Sequence, residues 1–265
     1  KALIALERMV GRITTHWVAV SQADRRQGIE WGLFTASKVS VVRPGIDPTA
    51  FAARIESPER DRLRAMLGVA PDQLLVGTVS CLKPQKSPED FVRVAALVCQ
   101  RVPAARCVLV GDGALRPKVE ALLLAQGLQD RVTLLGWRRD VAALLKAFDV
   151  FVLTSQWEGL PCAILEARAS RIPIVATRVG GAAEAIVEGI QGTLCPAGDV
   201  RAMAERVCQI LEDERFRVDL RTGTQELPEE FTIQETLKQY QSLYAYLLHA
   251  TRPREDVMKL QPNRL

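Results

Sequence analysis

Two carboxylates, Glu158 and Glu166, stand with seven residues between them in the segment EGLPCAILE. The apolar run DVFVLTS precedes them at 149–155, and EARASRIPIVATRVGG follows from Glu166. An apolar strand ending at Ser155 delivers Glu158 to a loop at the strand's carboxyl end. Gly159 to Pro161 then open a helix that carries Glu166 about two turns in. This arrangement sets Glu158 near the mouth of a cleft and Glu166 deeper beneath it. Carboxylates so placed can accept hydrogen bonds from hydroxyls and stabilise developing positive charge. Taken alone, the same spacing also describes a solvated loop charge and a surface helix residue.

The elements that must position this pair alternate between strand and helix, the pattern of a parallel sheet covered on both faces. Strands are expected at 74–80, 107–111, 132–136, 149–155, 172–177 and 192–195. Amphipathic helices fall between them, PEDFVRVAALVCQRV at 88–102 and RPKVEALLLAQ at 116–126, with apolar positions at three- and four-residue spacing. One Rossmann-like, doubly wound domain results, centred on 70–212 and assigned here to 49–230. Residues 1–48 give a helix, the strand HWVAV, a helix beginning at Ser21 and the strand KVSVV, too little for a domain of its own. Residues 231–250 hold a long amphipathic helix with Leu237, Tyr240, Leu243, Tyr244, Leu247 and Leu248 on one face, and 251–265 reads as a disordered polar tail.

Composition is that of a soluble globular chain: 265 residues, 48% hydrophobic and 25% charged. The net charge of +4, from 35 basic and 31 acidic residues, implies no nucleic-acid partner. Apolar runs fall far short of the roughly 20 residues that span a bilayer, and no charged, apolar, small-residue leader opens the chain, so a cytoplasmic location is expected. Six cysteines without a CxxC pair read as free thiols in a reducing compartment. His16 and His249 are far apart and lack clustered ligands, so no metal site is expected.

The words around the two glutamates form an ordered series. VVRPGID at 41–47, LKPQK at 82–86, LVGDG at 109–113, RVTLLGWRRDV at 131–141, EGLPCAILEA from Glu158, and PIVATRVGG with Glu184 three residues on resemble the signature of retaining glycosyltransferase family 4. The resemblance implies the α/β GT-B fold, with residues 1–48 as the end of an amino-terminal, acceptor-side domain plus linker. It implies that the last helix crosses back towards that domain.

The same resemblance implies a site for a nucleoside-diphosphate sugar. Glu166 matches the ribose-binding glutamate, and Glu158 the one beside the transferred sugar, where Gly159, Leu160 and Pro161 complete the pocket. Lys86 matches the phosphate-contacting lysine. Glu158 and Lys86 are therefore the catalytic candidates, and the start of the helix near Gly159 adds N–H groups and a positive dipole end. Gly111 and Gly113 let the backbone approach the ligand, although a strand-to-helix turn needs no ligand to explain two glycines. The base is expected near Trp137 and Arg138. Glu184 sits in a first helical turn, where a carboxylate suits the dipole whatever its function. Two departures stand out. Cys81 occupies a position where many family members carry arginine, leaving Lys83 as a substitute cation, and Ser87 stands where glycine is frequent.

The implied activity is metal-independent sugar transfer with retention, UDP being the expected nucleotide and a glycan or glycolipid the acceptor. The carboxylates then serve in positioning and electrostatics rather than as a glycosidase pair. The alternative from a different class is a nucleotide-sugar binding chain, inactive without a separate acceptor-binding chain; an unpaired surface around 1–20 and 236–248 would favour it. A GT-B sugar epimerase is a third reading, which the EGLPCAILEA block disfavours. The mild basicity suits a peripheral approach to anionic membrane.

Overall fold

The computed structural model describes residues 2–52, 57–223 and 227–250. The chain opens with α1 (Ala2–Gly11), β1 (Trp17–Ala19), α2 (Gln22–Glu30) and β2 (Val39–Val41). β1 and β2 pair in parallel as a two-stranded sheet, Trp17 opposite Val39. Ser21 caps α2, its hydroxyl accepting from the Asp24 N–H at 3.0 Å. Two short helices, α3 (Thr49–Ala52) and α4 (Ser57–Met66), lead into the main sheet.

That sheet alternates with helices as the apolar runs dictate. It runs β3 (Leu74–Val79), α5 (Pro88–Arg101), β4 (Ala105–Val110), α6 (Arg116–Ala125), β5 (Val132–Gly136), α7 (Val141–Ala147) and β6 (Val150–Leu153), then α8 (Cys162–Ala169), β7 (Ile174–Thr177), α9 (Ala182–Ala185) and β8 (Gly192–Cys195). The six strands are all parallel in the order β5-β4-β3-β6-β7-β8. β3, β4, β6, β7 and β8 bury both faces, which is why they read as continuous apolar runs instead of alternating ones, while the edge strand β5 leaves Thr133 exposed. Val76, Cys107 and Leu109 pack under α5 and α10 (Val200–Glu212). Leu75, Val108 and Val110 point to the other face, under α7 and α8.

The strand order reverses between β3 and β6, so their carboxyl ends diverge and leave a crevice, the place where open parallel sheets take ligands. The six expected strands are present, two with the expected ends and four with ends shifted by one or two residues. One expectation for the helices does not hold. The helix after β6 begins at Cys162, not near Gly159, because Pro161 takes an extended conformation (φ −77°, ψ 107°) as its N-cap. Glu166 consequently lies about one turn into α8.

The chain closes with α11 (Glu214–Gly223) and α12 (Ile233–Ala250). A crossing ties the end of the chain to the linker after β2. Ile46 N–H donates to Phe231 O and Ile233 N–H to Ile46 O, both at 3.0 Å, and the Thr236 hydroxyl donates to Arg43 O at 2.8 Å. The buried Phe231 ring lies between the guanidinium groups of Arg43 and Arg168, each 5.9 Å from its centre. Beyond the crossing, Leu237, Tyr244 and Leu248 of α12 are exposed, while Tyr240, Leu243 and Leu247 are half-buried. α1 exposes Leu3, Leu6, Met9 and Val10, and Ile13 follows at 85% exposure. The tail at 251–265 lies outside the described residues.

Candidate functional site

Four strand ends meet at the crevice. The loop after β3 brings Cys81 and Lys86, that after β4 Gly111, that after β5 Trp137 and Arg138, and α8 brings Glu166. These six residues line one cavity of about 260 Å³. Cys81, Lys86, Gly111, Trp137, Arg138 and Glu166 are thus brought together from positions spread over more than eighty residues.

Glu158 lies against this cavity and not at its mouth. It is 8% exposed, and its carboxylate accepts from the Ser155 hydroxyl at 2.5 Å and from the Lys86 ammonium. Gln85 donates to the Trp157 carbonyl at 2.9 Å and to the second Glu158 oxygen at 3.4 Å. The loop is drawn inward by the Gly180–Gly181 turn. Gly181 N–H donates to Gly159 O at 2.7 Å, and a Cβ on Gly180 (φ 45°) would stand 1.7 Å from Glu158 O. The expected order of depth is therefore reversed, with Glu158 the more buried of the two. Ser155, Gln85 and Thr177, whose hydroxyl donates to Ser155 O at 2.6 Å, hold this geometry. Ser155 and Gln85 lay within the quoted runs DVFVLTS and LKPQK; nothing in the sequence alone paired them with Glu158.

Glu166 is half-buried, and burial raises its carboxyl above the usual 4.5. The Cys162 thiol at the start of the same helix is pushed up by burial and by Glu166. Arg138 is held by Asp140 through two bonds of 2.8 and 2.5 Å, while Trp137 is 69% exposed and stands free to take a flat partner. Ser87 adopts φ 45° although it is not glycine. The left-handed conformation costs such a residue about 1–2 kcal/mol. The Thr154 hydroxyl, donating to both Lys86 O and Ser87 O at 3.0 Å, and the Ser87–Asp90 bond of 2.7 Å offset it.

Other candidates serve the fold or lie outside the cavity lining. Gly113 and Gly111 are required by the chain itself, since a Cβ on them would stand 2.6 Å from Leu82 O and 2.1 Å from Ser80 O. Lys83 is exposed outside the cavity lining. Glu184 accepts from the N–H groups of Gln22 and Ala23 at 3.1 and 2.8 Å and pairs with Arg43 at 2.9 Å, so it caps α2. Gly159, Leu160 and Pro161 do not line the cavity. A Cβ on Gly159 would meet Val20 at 2.6 Å and Asp24 at 3.1 Å, which places the turn after β1 directly over this loop. Among the described residues, no group of three or more His, Cys, Asp and Glu could hold a metal ion, and the cysteines are free thiols. No described helix is long and apolar enough to cross a membrane.

Known proteins share the sequence pattern and the fold of this chain. The chain is 28% identical over 242 residues to the UDP-Gal:alpha-D-GlcNAc-diphosphoundecaprenol alpha-1,3-galactosyltransferase of Escherichia coli, spanning 90% of this chain and 62% of that protein. It is 31% identical over 184 residues to the N-acetyl-alpha-D-glucosaminyl L-malate synthase of Bacillus anthracis, 69% of this chain and 48% of that protein. Among solved structures, Anabaena Alr3699/HepE in complex with UDP and glucose superposes with a TM-score of 0.81 at 26% identity, covering 91% of this chain and 67% of that one. The sucrose-phosphate synthase of Thermosynechococcus elongatus gives 0.79 at 25%, covering 92% and 62%. The chain thus spans about half to two thirds of the length of these relatives. The fold is the α/β GT-B type, and the model of the family Glycosyl transferases group 1 matches residues 59–227, so the parallel sheet and its crevice are those of a group 1 glycosyl transferase, the family to which this chain belongs.

Proposed function

We propose that this chain carries the donor half of a retaining, family 4 type glycosyltransferase that moves a sugar from UDP to an acceptor hydroxyl, in polysaccharide or glycolipid synthesis. The observation that carries the reading is the crevice at the strand-order reversal, where Glu166, Trp137 and Lys86 share one cavity. The ribose and base of a nucleotide suit the first two, and a diphosphate the third. The UDP named for the Escherichia coli relative, and the UDP and glucose bound by the Anabaena protein, support the choice of nucleotide.

In this reading the Glu166 carboxylate accepts from the two ribose hydroxyls. Lys86 donates to the diphosphate while remaining beside Glu158, so the two side chains present one positive and one negative group to the bond that breaks between sugar and phosphate. Glu158 orients a sugar hydroxyl and stabilises positive charge growing at the anomeric carbon. The leaving phosphate takes the acceptor proton on the same face, which gives retention without a protein nucleophile. No metal is assigned, since Lys86 and backbone N–H groups carry the charge on the phosphates. Residues 1–48 would belong to the acceptor-side domain and linker, 49–230 to the donor domain and 231–250 to the returning helix. A cytoplasmic enzyme working at the inner membrane face fits the lipid-linked substrate named for the Escherichia coli relative.

The second reading, a nucleotide-sugar binding chain that needs a separate acceptor-binding partner for catalysis, is favoured by the exposed apolar faces of α1 and α12. Calorimetric titration with UDP, GDP and ADP, beside Glu166→Ala, tests the common core of both. We expect UDP binding that falls about 10- to 100-fold in the variant, the range for hydrogen bonds to a charged group. A folded chain that binds none of the three would refute the donor-site reading.

A further inference from the structure

A second cavity, of about 330 Å³, lies at the opposite end of the sheet, beside the amino ends of β6 and β7. Its charged lining is wholly cationic among the described residues: Arg60 from α4, Lys146 from α7, Arg171 just after α8 and Arg221 from α11. Behind this wall Asp149 pairs with Arg60 at 2.9 Å, Arg64 at 3.0 Å and Arg221 at 3.5 Å.

Part of the cluster has a structural duty. α7 ends here, and its last carbonyls take guanidinium donors: Arg60 to Lys146 O at 3.1 Å, Arg64 to Ala147 O at 2.8 Å and Arg221 to Phe148 O at 3.0 Å. That duty does not consume the charge. The carboxyl ends of α7 and α8 supply about half a negative charge each, and Asp149 one more. Among the described residues, five cations, Arg60, Arg64, Lys146, Arg171 and Arg221, stand against these about two negative charges, which leaves about three uncompensated.

The stress shows at Arg221. Burial lowers its pKa; Asp149 opposes the shift, and Arg60, Arg217 and Arg64 add to it. Its Nε and the Ser170 hydroxyl, both on residues of the cavity wall, are buried without an acceptor. Among the described residues the wall therefore holds surplus cations and idle donors, and no carboxylate lines it.

We propose that this cavity is a binding site for a small phosphate-bearing ligand, held chiefly by Lys146, Arg171 and Arg221, and distinct from the crevice at the other end of the strands. Its volume, within the usual range for small-molecule sites, admits a phosphorylated metabolite as well as the bare ion.

The test uses the whole chain and orthophosphate, against potassium chloride of equal ionic strength so that general screening cancels. Acetylation of Lys146 by an amine-reactive reagent, followed by mass spectrometry, should slow about fivefold with phosphate, while the exposed Lys118 reacts unchanged. In the double variant Lys146→Ala/Arg171→Ala, thermal stabilisation by phosphate should require at least tenfold more of it. Equal labelling of Lys146 in phosphate and chloride would overturn the proposal, and this needs no variant to fold. Protection by phosphatidylglycerol vesicles but not by orthophosphate would assign the patch to a lipid surface, and so would also overturn it.

Discussion

Asp149 at one end of the central sheet and Glu166 at the other are buried acids in opposite surroundings. At the amino end, Asp149 is surrounded: burial pushes its carboxyl up, but the Leu75 N–H at 2.8 Å and the guanidinium groups of Arg64, Arg60 and Arg221 more than offset this, and its pKa falls below 3.8. At the carboxyl end, burial acts on Glu166 with no offsetting cation or hydrogen bond among the described residues, and its pKa rises above 4.5. A satisfied acid stabilises the fold; an unsatisfied one keeps its acceptor capacity for something that arrives later.

The largest effect should come from breaking the satisfied side. Asp149→Ala strands the buried Arg64 and two partners, and denaturant unfolding should show a loss of about 3–5 kcal/mol. A loss below about 1 kcal/mol would mean that the arginines are held by the α7 carbonyls alone. Next, Lys86→Met should weaken UDP about 10- to 100-fold in calorimetry while uridine binds as before, because the lost bonds go to phosphate. Equal loss for both ligands would show that Lys86 acts by shaping the pocket through Glu158.

The contrast also predicts opposite pH responses. Asp149 gives up its proton more readily when folded, so its stabilisation is present above pH 3.8 and is lost as pH falls through its lowered folded value. Glu166 keeps its proton longer when folded. Its ionisation therefore costs stability as pH rises from 4.5 through the raised value, and uridine, which needs the carboxylate, should bind progressively less tightly as pH falls through that same window. Uridine is the useful ligand because it has no phosphate to titrate. Affinity constant down to pH 4.5 would remove Glu166 from the ribose contact. The smallest change is expected from Cys81→Arg. The side chain lines the crevice beside Lys86, so a second cation should tighten UDP by a few-fold at low salt and leave uridine untouched.

Much of this molecule was legible in the sequence because its strands are buried on both faces and therefore appear as plain apolar runs, such as LLVGTV and CVLV. The helix start was misplaced because Pro161 serves as the extended N-cap instead of the first helical residue. Ser87 stands where glycine is frequent and still takes the left-handed turn, with Thr154 and Asp90 as compensating partners that no local pattern announces. Glu184 looked equally fit for dipole or ligand. Its fate was decided by Gln22, Ala23 and Arg43, more than a hundred residues away. The depth of Glu158 escaped for the same reason, since it is set by Lys86 and the Gly180–Gly181 turn.

The crossing near Gly45 has a consequence for how the chain is made. The hydrogen bond from the Thr236 hydroxyl to Arg43 O joins residues 193 positions apart, and a Cβ on Gly45 would stand 2.1 Å from the Thr232 carbonyl, so the two segments meet backbone to backbone. A ribosome building from the amino terminus finishes all six parallel strands by Cys195, well before this partner exists. Throughout that interval the Arg43 carbonyl and the Ile46 backbone lack these partners, although the Glu184 carboxylate can already hold α2 and the Arg43 side chain. The crossing can therefore close only after the last strand has been made, and a ribosome stalled before Thr236 would hold a completed sheet without it.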